Sequence, residues 1–302
     1  MFTYIKRFFF FFLTNIAVLA LLSVVMMVVN YFFPGLIDRN GGMMGLLLYA
    51  AIIGFAGSFI SLFLSKWSAK RAYSIVLIDE TTAASDPKLQ IVWSTVTRIA
   101  QMSGIKMPEV WYYESADPNA FATGSSKNNS LVAVSTGLLD TMTRDEVEWV
   151  VWHEMAHVMN GDMVTLTLVQ WVMNTFVVFV STILARVISG FLAKDSETVS
   201  ALTYNLIAIG LQIGLGFLAS FVVMYVSRMR EYRADLGGAT YTSKAKMLAW
   251  LRKLQTISSR VQESHADPKM AAFMITEPDS FFSTHPSLVN RIQALEENYK
   301  LA

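Results

Sequence analysis

Four long stretches of this chain contain no Asp, Glu, Lys or Arg, and no other feature restricts its fold as much. They are residues 8–33, 43–64, 163–185 and 201–227. Each is 22 residues or longer, and about 20 apolar residues cross the hydrocarbon layer of a bilayer as a helix. Inside lipid the backbone must satisfy its own hydrogen bonds, so a spanning segment of this kind is helical. The composition agrees: 54% of residues are apolar and only 16% charged, well off the balance of a soluble domain. Lys6 and Arg7 precede the first stretch. Its apolar run is longer than a signal-peptide core, and Tyr31-Phe32-Phe33-Pro34 is a poor cleavage site, so it reads as a retained anchor.

Lysine and arginine placement predicts orientation. Lys6 and Arg7 precede span one, Lys66, Lys70 and Arg71 follow span two, and Arg228, Arg230 and Arg233 follow span four. The loop between spans one and two has only Arg39. The loop between spans three and four has Arg186 and Lys194, offset by Asp195 and Glu197. The basic clusters therefore share one side, which predicts cytoplasmic termini and a cytoplasmic segment between spans two and three. A net charge of +1 gives no general attraction to nucleic acid. The chain has no cysteine, so disulfides, cysteine-ligated metals and a cysteine nucleophile are all excluded.

The chemistry is carried by His153-Glu154-Met155-Ala156-His157. On a helix, residues four apart share a face, so both imidazoles can reach one metal ion. Glu154, beside that pair, can take a proton from a water at the metal. The surrounding sequence is helical. Thr143 with Glu146 reads as a capping box, Asp145 and Glu146 suit the start of a helix dipole, and Asn160-Gly161 ends the run.

Around this helix, Pro87 to Met102 has the apolar spacing of an amphipathic helix through Leu89, Val92, Val96 and Ile99. Val110 to Tyr113 and Leu131 to Ser135 read as strands. Asn119 to Gly124, with a polar turn through Asn128 and Asn129, reads as part of a hairpin beside the motif helix. Toward the end of the chain, Ser243 to Ser258 reads as helix, Pro268 to Pro278 as irregular, and Pro286 to Tyr299 as a last helix.

A catalytic zinc site takes three protein ligands and leaves a position open. With no cysteine, the third must be His, Glu or Asp. The other histidines are His265 and His285, and position 163 is Met, so a third histidine at metzincin spacing is absent. Glu231, just past span four on the same predicted side, is the better candidate. Asp235 lies one turn on, where it could accept a histidine N–H. From spacing alone the competing reading is a surface ion pair of Glu231 with Arg228 or Arg230.

Residues 153–162, 231–235 and 119–124 with Thr284-His285-Pro286 together resemble the HtpX family of bacterial membrane metallopeptidases, relatives of the CAAX prenyl-protein peptidases. The resemblance extends over nearly the whole chain. It implies His153, His157 and Glu231 as ligands of one Zn²⁺ per chain, Glu154 as the base, and Asp235 as the carboxylate that orients a ligating histidine. It also implies His285, with Arg291 downstream, as stabilisers of the transition state. The expected fold is mainly α with a small β-sheet: an integral membrane protein of the bacterial inner membrane with four transmembrane helices and a zincin-like cytoplasmic catalytic domain. That domain is split into 65–162 and 228–302 around the second membrane hairpin, 163–227, with a first hairpin at 1–64.

The expected activity is zinc-dependent endopeptidase cleavage of misfolded or damaged membrane proteins in stress-related quality control. The expected partners are protein or peptide substrates and the lipid bilayer, with no nucleic acid. Asn119, Ala120, Phe121 and Ala122 could form an exposed edge that pairs with an extended substrate. The alternatives are a dedicated processor of one membrane-associated substrate class and a silent zinc-binding scaffold. A transporter is disfavoured because the spans carry no charge.

Overall fold

The computed structural model describes residues 31, 42–72, 75–116, 118–192, 201–241, 243–263 and 285–297. The expected first span at 8–33, the Pro268 to Pro278 segment and His265 lie outside the described residues, apart from Tyr31. The chain divides into two compact units, residues 1–61 with 167–223 and residues 62–166 with 224–302.

The first unit consists of long apolar helices. Among the described residues, three helices are long and apolar enough to cross a membrane: α1 (Gly42–Ala72), α6 (Asp162–Leu192) and α7 (Ala201–Tyr241). Within this unit α1 and α6 pack closely where Gly54 has no side chain. A Cβ there would stand 2.6 Å from Thr175 Oγ1. Small residues of this kind let membrane helices approach. Trp171 Nε1 donates to the Ala51 carbonyl at 3.1 Å, and Asn174 Nδ2 donates to Ser58 Oγ at 3.3 Å. Uncharged polar groups thus pair across the two helices rather than facing lipid unsatisfied.

The second unit is built on a four-stranded mixed sheet, β1 (Val76–Leu77), β2 (Glu109–Tyr113), β3 (Ala120–Ser126) and β4 (Asn129–Ser135), in the order β1-β2-β4-β3. β2 runs parallel to β4, and β3 returns antiparallel to β4 with Ala120 opposite Val134 and Ala122 opposite Val132. The hairpin expected from the polar turn is therefore β3–β4. β3 is an edge strand, and among the described residues no strand other than β4 pairs with it.

Alternation along the strands sorts the side chains. Val110, Val132, Val134 and Ala120 join the main core, whereas Tyr113, Leu131 and Ala133 form a smaller cluster with Trp111 and Phe121 packed against it. Helices that contribute to the main core include α2 (Glu80–Ser85), α3 (Pro87–Ser103), α5 (Arg144–Asn160) and α8 (Lys244–Glu263). Val92, Val96 and Ile99 of α3, Val150, Val151 and Met155 of α5, and Met247, Trp250 and Leu251 of α8 are all buried in it. The short α4 (Thr136–Thr141) links β4 to α5, and α9 (Leu288–Glu296) closes the described chain.

Two expectations shift. Helix α1 continues eight residues beyond Leu64 because its last turns leave the apolar pattern without leaving the helix. Lys66 and Lys70 reach the two oxygens of Glu109 at 2.9 and 2.6 Å, and Lys66 also donates to Asn129 Oδ1 at 2.8 Å. The last helix begins at Leu288 rather than Pro286. Ser287 is its N-cap, and the Ser287 hydroxyl accepts from the Asn290 N–H at 3.2 Å.

Candidate metal centre

Helix α5 positions both histidines. It starts where the Glu146 carboxylate accepts from the Thr143 backbone N–H at 2.8 Å, and Lys253 of α8 holds the same carboxylate at 2.5 Å. It ends at Gly161, whose φ of 68° is the left-handed conformation that favours glycine. Three turns of apolar packing keep the C-terminal half rigid: Val151 and Met155 are fully buried. His153 and Glu154 are buried with them, while His157 keeps 13% of its side chain exposed.

Glu231 arrives from the last third of α7, 1% exposed. One oxygen lies 3.3 Å from His153 Nε2 and the other 3.4 Å from His157 Nε2. The surface ion pair considered for Glu231 does not describe a carboxylate buried between two imidazoles. One ligand atom from each of His153, His157 and Glu231 can be chosen so that all lie within 4.8 Å of one another.

The donor set fits zinc. Two imidazole nitrogens and a carboxylate oxygen are its usual ligands, and tetrahedral bonds of about 2.0–2.2 Å separate ligand atoms by roughly 3.4 Å. The outer nitrogens fit as well. His157 Nδ1 meets Asp162 Oδ2 at 2.7 Å, and His153 Nδ1 lies 3.1 Å from Asp235 Oδ1. At His157 the Asp162 carboxylate holds the proton on Nδ1 and leaves the Nε2 lone pair for a metal, while Asp235 stands beside His153 Nδ1 without an aligned hydrogen bond.

The electrostatics of the metal-free site follow from this crowding of carboxylates. Burial pushes the His157 imidazolium down, but Glu231, Asp162 and Glu154 outweigh it and raise the ring to about 10. Burial likewise opposes protonation of His153, and the Asp235 and Glu231 carboxylates carry it upward on balance. A compact divalent cation is what such a nest of anionic groups accommodates.

Of the other expected residues, His285 is brought to the site: its Nδ1 lies 3.3 Å from Glu231 Oε2, and 35% of its side chain is exposed. Arg291 is also brought in, but fully buried. Its Nε and Nη2 grip the two Asp235 oxygens at 2.7 and 2.6 Å, and its Nη1 stands 3.8 Å from Glu231. The Trp250 ring lies 5.9 Å from the His153 ring and 5.8 Å from the guanidinium. Asn119 sits at the base of the edge strand, its N–H donating to Ser135 Oγ and its carbonyl accepting from the Ser135 N–H, both at 2.9 Å. Ala120 and Ala122 lie on the main-core face of the sheet and Phe121 on the other, 5.8 Å from Tyr113.

Sequence reasoning assigned no role to Asp162 or Trp250. The only signal for Asp162 was an acidic residue directly after the helix-ending glycine, which equally suits the start of α6. Trp250 carried none beyond apolar spacing.

Residues 86–299 match peptidase family M48. The chain is 47% identical over 301 residues to the Protease HtpX of Tolumonas auensis, covering 97% of this chain and 99% of that one. It is also 47% identical over 294 residues to a Protease HtpX homolog of Neisseria meningitidis serogroup B, covering 96% and 99%. To the Protease HtpX of Shewanella sp. strain ANA-3 it is 46% identical over 298 residues, with the same coverage. Among solved structures, the crystal structure of S. mikatae Ste24p matches with a TM-score of 0.60 at 17% identity, covering 94% of this chain and 66% of that longer one. At that identity the likeness is one of fold.

Proposed function

This chain belongs to the HtpX proteases of peptidase family M48, a membrane-bound zinc metallopeptidase with a Ste24p-like fold, and on that premise we propose that His153, His157 and Glu231 hold one zinc ion and that Glu154 is the catalytic base. Zinc held there would supply Lewis acidity to a water and to the scissile carbonyl. Glu154, buried beside His153, takes the water's proton and delivers it to the departing amine. His285 reaches the same ligand carboxylate from a half-exposed position, which suits a hydrogen-bond donor to the oxyanion of the peptide. Arg291 has no exposed surface with which to touch substrate. Its bidentate grip supports the role of holding Asp235, which in turn faces His153.

Substrate enters this reading as an extended strand. β3 offers an open edge directly after Asn119, its inner face packs toward α5, and pairing through backbone groups tolerates many sequences. That tolerance suits quality control of misfolded or damaged membrane proteins. The same reading includes four spans, cytoplasmic termini, an inner-membrane location, and a catalytic domain divided into 65–162 and 228–302 by the hairpin 163–227. The charge-free stretches and the one-sided lysines and arginines support it. The alternative of a dedicated processor predicts one fixed cleavage site, whereas quality control predicts scattered sites. Mass spectrometry of the products separates them.

The observation that carries the mechanism is the buried Glu231 carboxylate between two Nε2 atoms. The test is Glu154→Gln. Cleavage should fall by about 10²–10⁴ while zinc stays bound, and cleavage at the wild-type rate would refute the base assignment.

A further inference from the structure

Each ligating histidine faces a carboxylate through Nδ1, and the two carboxylates are unlike. Both Asp235 oxygens are taken by Arg291, at 2.7 and 2.6 Å, so its charge is already matched by a guanidinium. What it offers His153 is a 3.1 Å approach that is not aligned as a hydrogen bond. Asp162 makes the shorter contact, 2.7 Å to His157 Nδ1. Its other oxygen is buried with no hydrogen-bond partner, and the residue is 1% exposed. The nearby Arg230 guanidinium donates to the Asp162 backbone carbonyl at 3.5 Å and to Ser227 Oγ at 3.4 Å, not to the Asp162 carboxylate. Asp162 thus spends its hydrogen bonding on one histidine.

The backbone explains how it gets there. Gly161 ends α5 in one left-handed residue, and α6 starts at Asp162. The side chain therefore returns to a histidine five positions earlier, which a continuous helix would carry away. A side chain wanted only for a helix N-terminus has no reason to be sealed from water with an oxygen unsatisfied, because exposed carboxylates serve that purpose.

With the zinc set read as above, we infer that Asp162 is a positioning residue for His157. It fixes the Nδ1–H tautomer, strengthens Nε2 as a donor, and makes the first residue of a membrane-length helix part of the metal centre. Asp235 plays the weaker, mechanically clamped part at His153. Outer carboxylates of this kind typically contribute about 10–100-fold to metal affinity.

The test uses the full chain in detergent: wild type, Asp162→Asn, which keeps shape and loses charge, and Asp162→Ser, which keeps a group suited to a helix start. Zinc affinity is measured by chelator competition, the visible spectrum is recorded after cobalt loading, and melting of the metal-free protein is followed by circular dichroism. Both variants should bind zinc about 10–100-fold more weakly and show an altered cobalt spectrum, with the helix content of the metal-free protein as in wild type. Affinity within about twofold of wild type overturns the inference. So does loss of native helix content in both metal-free variants, which would assign Asp162 to folding. A wild-type protein that binds no zinc would instead sink the metal reading itself.

Discussion

The metal centre draws on two regions whose positions are fixed by different physics. Residues 153–162 sit on a helix and its terminating turn, so their relative placement is local: a 3.6-residue period, an apolar face and one left-handed glycine. Residues 231, 235, 285 and 291 come from three segments, and what fixes them is charge. Arg291 clamps Asp235, and Glu231 lies between histidines. Apolar packing degrades gradually when trimmed. A buried ion pair fails abruptly, because losing one partner leaves the other as an uncompensated charge. The near region should therefore tolerate damage that the far region does not.

Arg291→Leu should separate the two most sharply. Leaving Asp235 buried and unpaired costs about 3–5 kcal/mol. The expected outcome is a large drop in melting temperature together with weakened zinc binding, measured by calorimetry and metal analysis. Native melting would show that the clamp does not hold the far region.

Val150→Ala removes apolar volume from the near region at a position 1% exposed. Two buried carbons at about 0.8 kcal/mol each predict a loss near 1.6 kcal/mol, with zinc stoichiometry unchanged. Loss of zinc there would erase the distinction.

The smallest effect belongs to Glu109, away from the centre. Burial raises its carboxyl, but Lys70, Lys66 and Trp111 bring it from 4.5 down to about 2. A lowered folded-state value contributes stability above the unfolded value and loses it as pH falls from about 4.5 toward 2. The side chain is 37% exposed, so solvent screening keeps the contribution small. Glu109→Gln should melt about 2–4 °C below wild type at pH 7. The gap should narrow as the pH is lowered from about 4.5 toward 2, and a gap that does not change with pH would remove Glu109 from the account.

The same contrast explains what the sequence made legible. Local signals (apolar spacing, capping residues and charge-free length) revealed α3, α5, β2, the β3–β4 hairpin and the three described long helices, because each is specified by residues adjacent in the chain, whereas the two-residue β1 carried no such signal. The capping pair Thr143 and Glu146 and the stop at Gly161 fall where their chemistry places them. Glu231 could be nominated because the chain lacks cysteine and has no third histidine at metzincin spacing, and the family resemblance then implied it as the ligand.

Long-range pairings stayed hidden. Nothing local in Glu109 announces Lys66 and Lys70, nothing in Arg291 selects Asp235 over other acidic residues, and the parallel pairing of β2 with β4 skips the intervening strand. Asp162 was hidden differently: an acidic residue at a helix start has a sufficient local explanation, which masks its turn toward His157.

The claim beneath all of this is that the near and far regions meet on a single metal. Metal analysis of the purified full chain, wild type beside Glu231→Ala, tests it most directly. The account predicts one zinc per wild-type chain and essentially none in the variant, with the metal-free variant still folded. A folded Glu231→Ala protein that retains a full equivalent of zinc would contradict it.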